Sequence, residues 1–207
     1  MTSRIVRGAS CLLLLGVCSC YYLTQASGQI DILAHRQPIG EILDQRKLSD
    51  EDARKLKLVA EAKEFGERVL GLTKSDNYTT FYDTRGRPVS YVVSACRKDR
   101  FEACTWWFPI VGTLPYKGFF SLDDARAEAR ALDAQGYDVA LRTVAAYSTL
   151  GWFSDPVFST MLKNDDVDLA VLILHELTHG TVFASGQGDW NEAMAQFVGV
   201  EGAVQFF

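Results

Sequence analysis

The stretch from Val167 to Ala184 is apolar almost all the way round, yet it carries His175, Glu176 and His179 in its middle. A helix with one polar face can lie on a surface, whereas a helix apolar on every face has to be surrounded. The segment therefore reads as a buried central helix, and the rest of the chain must supply the layers that cover it. With 207 residues, 48% of them hydrophobic, the chain can build one sizeable core. Gly186 and Gly188 break the helix. Asp189 or Asn191 can then cap a second helix carrying Glu192, Met194, Phe197, Val200 and Val204.

The covering layers are mixed in type. Between Ile39 and Leu70 apolar residues recur at three- and four-residue steps among charges, which predicts two amphipathic helices, the second capped by Ser49 with Asp52. Asn77–Tyr82 and Pro88–Ala95 are rich in β-branched and aromatic residues, and the turn residues Asp83–Arg87 between them predict a hairpin. A further strand is expected through Thr105–Gly112, with Trp106 and Trp107 in the core. A helix capped by Ser121 and closed by Gly136 follows, then a strand over Tyr137–Val144. The pattern is that of an α+β fold, a small mixed sheet with helices grouped around it.

Two imidazoles buried on an apolar helix need partners. His175 and His179 are four residues apart, about 40° around the axis, so both project from one face and can clasp one ion. Glu176 stands about 100° from His175, out of line with the ligands but able to reach a water at the ion. It is the candidate general base for metal-assisted amide hydrolysis, with one Zn2+ as cofactor and a peptide or protein as substrate. A catalytic zinc site wants a third protein ligand. Glu192 and Glu201 are the nearby choices, about half a turn out of phase, so only one can face the histidines. Glu192 is favoured, because small neighbours in Asn191-Glu192-Ala193-Met194-Ala195 allow a close approach between helices. The third histidine, His35, reads as a surface residue. The rival to an enzyme is a non-catalytic envelope protein of zincin-like fold that binds other proteins.

Arg4 and Arg7 precede an apolar run, Cys11–Val17, too short to span a bilayer and suited to a secretory leader. Val17-Cys18-Ser19-Cys20 then resembles a bacterial lipobox, which makes residues 1–19 a lipoprotein signal peptide and Cys20 the lipidated N-terminus. Residues 20–38, interrupted by Gly28 and Pro38, read as a tether, and 39–207 as the metallopeptidase domain. The expected location is the bacterial cell envelope, facing the periplasm and held to the membrane by acyl chains. Losing two arginines moves the net charge from −5 to −7. With no basic block either, nucleic acid is set aside as a partner. In an oxidising compartment Cys96 and Cys104 are a candidate disulfide, and the Asn77-Tyr78-Thr79 sequon is idle in a bacterium.

From the lipobox on, the chain resembles the bacterial family of predicted zinc aminopeptidases that are envelope lipoproteins. The resemblance is carried by Tyr21-Tyr22 with Gln25 and Gly28-Gln29, by Phe108–Gly112 and Tyr116–Phe120, by Ala146–Pro156, and by HELTH and Asn191–Ala195. It implies a gluzincin-like site with His175, His179 and Glu192 as ligands, Glu176 as catalyst and an aminopeptidase activity. Where gluzincins can place an Asp four residues after the ligand Glu, this chain has Gln196, a weaker support for a ligand histidine. Members of the family continue past the second helix, so the apolar ending Val204–Phe207 reads as a C-terminal truncation. Tyr147 is a candidate oxyanion donor, against a plainer role as a packed aromatic.

Overall fold

The computed structural model describes residues 21–108, 112–144 and 153–207. In chain order these form α1 (residues 21–35), β1 (Gln37–Pro38), α2 (Ile39–Asp44), α3 (Asp50–Arg68), β2 (Thr80–Tyr82), β3 (Ser90–Arg97), β4 (Trp106–Phe108), β5 (Gly112–Leu114), β6 (Lys117–Phe119), α4 (Leu122–Ala134), β7 (Tyr137–Val144), β8 (Val157–Phe158), a 3-10 turn (Met161–Lys163), α5 (Asp166–His179) and α6 (Gly188–Phe206). The architecture is α+β. Its strands form three small sheets rather than one, ordered β1-β2-β8, β6-β3-β7 and β4-β5. Contacts among the described residues gather into two compact units, one of residues 21–35, 90–104 and 115–142, the other of 36–89, 105–108, 112–114, 143–144 and 153–207.

In the first unit β3 pairs antiparallel with β6, Tyr91 opposite Phe119 and Val93 opposite Lys117, and α4 packs on both. Ser121 accepts the Asp124 N–H at 3.2 Å to start α4, and Gly136 ends it at φ +87°, a conformation that strains any residue with a Cβ. The segment expected to be a tether is instead largely the helix α1. Its Ile32 is buried, and Gly28, which had counted as an interruption, lies where a Cβ would run into the Phe120 ring. No Cys96–Cys104 bridge forms, since both thiols are free. Cys96 lies opposite Ala103 on an antiparallel ladder, and Cys104 donates its N–H to Ala95 one step along. Neighbouring rungs point their side chains to opposite faces, so the two sulfurs diverge.

In the second unit α3 is capped as expected, Ser49 Oγ accepting the Asp52 N–H at 3.0 Å. The Asp83–Arg87 turn also forms, with Arg87 N–H bonded to Thr84 O at 3.1 Å. The strands flanking it do not pair. β2 lies between β1, antiparallel, and β8, parallel, with Phe81 opposite both Gln37 and Val157. A β2 register that buries Phe81 against Val157 satisfies the strand better than a local hairpin could. β4 and β5 make a separate antiparallel pair, and Trp107, expected in the core, is 69% exposed there.

The core of this unit is α5, which packs against α3 and α6. Leu169, Ile173, Leu174 and Leu177 are buried on it, and Leu56, Val59, Phe158 and Met161 pack out of solvent as well. α5 starts at an Asp165 cap, whose Oδ1 accepts the Asp168 N–H at 2.8 Å, and stops at His179, five residues short of Ala184. Thr178 and Thr181 hydroxyls bond back to the carbonyls of Leu174 and Leu177, taking up carbonyls at the frayed end. The second helix begins at Gly188 with no side-chain cap. Asp189 and Asn191 lie inside it, and the Asn191 amide instead holds the preceding loop, accepting from Ala184 N at 2.8 Å and donating to Ala184 O at 2.9 Å.

Candidate metal centre

The buried seam of α6 runs Asn191, Ala195, Gly199, Gly202, at helical spacing. A Cβ at Gly199 would stand 2.8 Å from the Val171 carbonyl oxygen, and one at Gly202 would stand 2.9 Å from Leu174 Cδ1. This bare seam, rather than the exposed Ala193, lets α6 lie against α5. The close approach carries Glu192 to the histidines. Glu201, on the other phase of the helix, is exposed and does not join them.

His175 Nε2 and His179 Nε2 are 3.1 Å apart. Glu192 offers one carboxylate oxygen to each, at 3.5 Å in both cases. Ligands bonded at about 2.05 Å to a tetrahedral ion are separated by about 3.3 Å, so these three distances fit three edges of one such tetrahedron. The donor set, two imidazole nitrogens and a carboxylate, also suits zinc. The histidine side chains are largely buried, while that of Glu192 is 69% exposed, so the cluster opens toward solvent on the α6 side. Burial first, and then His179, lowers the His175 pKa against the opposing pull of Glu192. Low basicity keeps that ring neutral and its lone pair available, as a metal ligand requires. The arrangement can hold a metal ion.

Support around the cluster is uneven. His179 Nδ1 is buried and has no hydrogen-bond partner among the described residues. Gln196, the residue expected behind the site, is exposed on α6 and does not reach it. His35 is an exposed residue paired with Asp31. Cys20 and Tyr147 lie outside the described residues, as do the leader and most of Ala146–Pro156.

Glu176 sits beside the cluster in a different setting. Burial, with Asp155 and Glu192 adding repulsion, pushes its carboxyl up to about 7. Sequence reasoning missed two residues that make this setting. Asp155 is 2% exposed, and its carbonyl accepts the Tyr78 N–H at 2.7 Å, while its own N–H goes to the Asn77 side chain at 3.0 Å. Tyr78 is buried at φ +60°; burial raises its phenol pKa, and so do the negative charges of Glu176 and Asp155. A left-handed tyrosine next to a buried asparagine marks a held turn, and no one-dimensional pattern announces it. The loop before that turn is pinned by Lys63, whose ammonium donates to Ser75 O at 2.7 Å.

A carboxyl poised near neutrality beside a convergent His-His-Glu set can move a proton to and from a water or an amine. Comparison with curated proteins and with solved structures returns no match. A family model described as "Putative aminopeptidase" matches residues 20–207, nearly the whole chain, and the protein belongs to that family.

Proposed function

We propose that this protein is a zinc-dependent peptidase that removes residues from peptide N-termini. The convergence of His175, His179 and Glu192 at tetrahedral spacings, with Glu176 alongside, is the observation that carries the reading. In this scheme those three residues hold the ion, in a zincin-like arrangement of the gluzincin kind, with HExxH on α5 and the acidic ligand on the next helix. Bound zinc supplies Lewis-acid polarisation of a carbonyl and acidifies water.

The protein's own part falls to Glu176. Its carboxylate accepts a proton from the attacking water and returns it to the departing amine, and a pKa near 7 suits both directions of transfer. Tyr147 is proposed as a donor to the developing oxyanion, on its position in the Ala146–Pro156 segment, and unchanged turnover in Tyr147→Phe would remove that role.

The N-terminal sequence supports lipid attachment at Cys20 and residence in a bacterial envelope with the peptidase facing the periplasm. No described helix is long and apolar enough to cross a membrane. Intact-mass analysis of the membrane fraction tests the acylation, and an unmodified Cys20 in the mature protein would refute it.

The enzymatic reading is tested on purified protein by zinc content and by release of chromophore from aminoacyl substrates. We expect one zinc per chain, turnover in the wild type, and a loss of about 10²- to 10⁴-fold in Glu176→Gln with zinc retained. Stoichiometric zinc without turnover of any aminoacyl or peptide substrate would sink the reading.

A further inference from the structure

Helix α1 follows Cys20 without a gap, since Tyr21 is already helical. Its inner side is fixed to its own unit: the Tyr21 hydroxyl donates to the Gly118 carbonyl at 3.0 Å, Gly28 lies against the Phe120 ring, and Ile32 is buried. A helix held at three points along its length does not swing as a tether would. Its outer side is the reverse of what water selects. Leu23 is 68% exposed and Ile30 62%. Seven residues apart, they stand about 20° apart around the axis and about 10 Å apart along it. Tyr22, Ala26 and Ala34 widen this exposed strip, and Ser27 is the polar residue within it. Asp31, the one acid of α1, pairs with His35 at the C-terminal end, and the helix has no Lys or Arg.

α3 of the same chain shows the ordinary arrangement, turning Glu51, Arg54, Lys57, Glu61, Glu64 and Arg68 to water. What covers the strip on α1 follows from its neighbour in sequence. Acyl chains on Cys20 would hold the first turn of α1 at a bilayer, because consecutive Cα atoms are only about 3.8 Å apart. At about 22 Å the helix is too short to cross a hydrocarbon layer of about 30 Å. It can lie along the surface, its apolar strip sunk about 5–10 Å to the boundary between headgroups and acyl chains. Without a Lys or Arg on α1, attraction to anionic headgroups is not what would hold it there.

Resting on the reading of Cys20 as the acylated residue, we propose that α1 docks on the bilayer surface that carries the anchor, with Leu23 and Ile30 inserted. The acyl chains supply retention. α1, packed on its unit by the opposite side, supplies orientation, and it fixes which way that unit is turned toward the membrane.

The test uses the protein recovered from the membrane fraction, reconstituted into vesicles of phosphatidylethanolamine and phosphatidylglycerol, with the state of Cys20 read by intact mass on the same sample. Nitroxide labels are placed singly through Leu23→Cys, Ile30→Cys or Lys57→Cys, in a background where Cys96→Ser and Cys104→Ser remove the two free thiols. All three positions are exposed, so the substitutions leave the core intact. We expect the labels at Leu23 and Ile30 to lose most of their collisions with an aqueous nickel complex and to gain collisions with lipid-soluble oxygen. The label at Lys57 should stay in water, and added salt should change neither result. Labels at Leu23 and Ile30 no better shielded than the one at Lys57 would overturn the proposal. Leu23→Asp with Ile30→Asp should return a label at Ala26→Cys to water while the acyl chains keep the protein on the vesicles, and continued shielding of that label would remove the role of the two side chains. Spin–spin broadening between labels at Ile30 before lipid is added would assign the strip to a second copy of the chain and overturn the proposal as well. Acylated Cys20 with the labels in water sinks this inference alone. An unmodified Cys20 sinks the anchor; shielding of the labels in a Cys20→Ser protein by added vesicles would then leave the docking of α1 standing, and its absence would sink both.

Discussion

Gly199 of α6 lies directly against His175 of α5, where a Cβ on the glycine would come within 3.2 Å of the His175 Cβ and 2.8 Å of the Val171 carbonyl oxygen. The backbone oxygen cannot turn aside as the end of a flexible side chain could. Gly199→Ala should therefore push the helices apart at the point where Glu192 is presented. We expect a destabilisation of about 1–3 kcal/mol and a fall in zinc affinity of about tenfold or more, larger in Gly199→Val. Melting curves and competition with a chromogenic chelator measure the two effects. A Gly199→Val protein with wild-type zinc affinity would show that the seam does not position the ligand.

The two glutamates of α6 stand differently toward the histidines. Glu192 places an oxygen 3.5 Å from each histidine nitrogen, whereas Glu201 is exposed and outside the cluster. Glu192→Gln replaces an anionic ligand with a neutral amide and should weaken zinc binding by at least about tenfold. Glu201→Gln should leave it unchanged. Equal effects of the two substitutions on zinc retained after dialysis against a mild chelator would contradict the assignment.

What could be read from the sequence was what depends on local periodicity. His175, Glu176 and His179 are fixed by four-residue spacing on one helix, and the caps at Ser49 and Ser121 by a three-residue offset. All of these stand in the structure where the pattern put them. Glu192 was legible only by phase, and the glycines that bring it in, Gly199 and Gly202, are about two and three turns further on. The expected hairpin failed because β2 finds its partners at Gln37 and Val157, distant in sequence. Residues 21–35 were misread because Gly28 looks like an interruption until Phe120 is beside it. The surroundings of Glu176 were invisible for a related reason: Tyr78 and Asp155 meet through a turn held by one buried asparagine.

Asn191 lies in the first turn of α6 without capping it, and both of its side-chain bonds go to the backbone of Ala184. Its burial means that Asn191→Ala would leave the Ala184 N–H without its partner, while the Ala184 C=O would keep the Gln187 N–H at 3.2 Å. A loss of about 1–3 kcal/mol is expected, with hydrogen exchange at the Ala184 amide accelerated more than at the α5 amides. Because the loop joins the two helices of the metal cluster, the variant should bind zinc more weakly and so gain less stability from it than the wild type does, zinc acting by binding only the folded form. If zinc raised the melting temperature of the variant and the wild type equally, the loop would have no part in joining the cluster.

Arg54 grips Asp166 at the start of α5 with two bonds of 2.7 Å and also binds Glu51 at 2.7 and 2.9 Å. These bonds, ahead of the smaller charge effects, lower the pKa of both carboxyls below their ordinary values of 3.8 and 4.5. A depressed carboxyl pKa in the folded state contributes stability above the unfolded pKa and loses it as the pH falls through the folded value. The advantage of the wild type over Arg54→Met should accordingly be present at neutral pH, shrink below about pH 4.5, and vanish once both acids are protonated. All three groups face solvent, so added salt should also reduce it. Paired melting curves from pH 7 down to about pH 3 provide the measurement. A difference between the two proteins that stays constant across that range would mean that Arg54 acts through the packing of its stem and not through its charge.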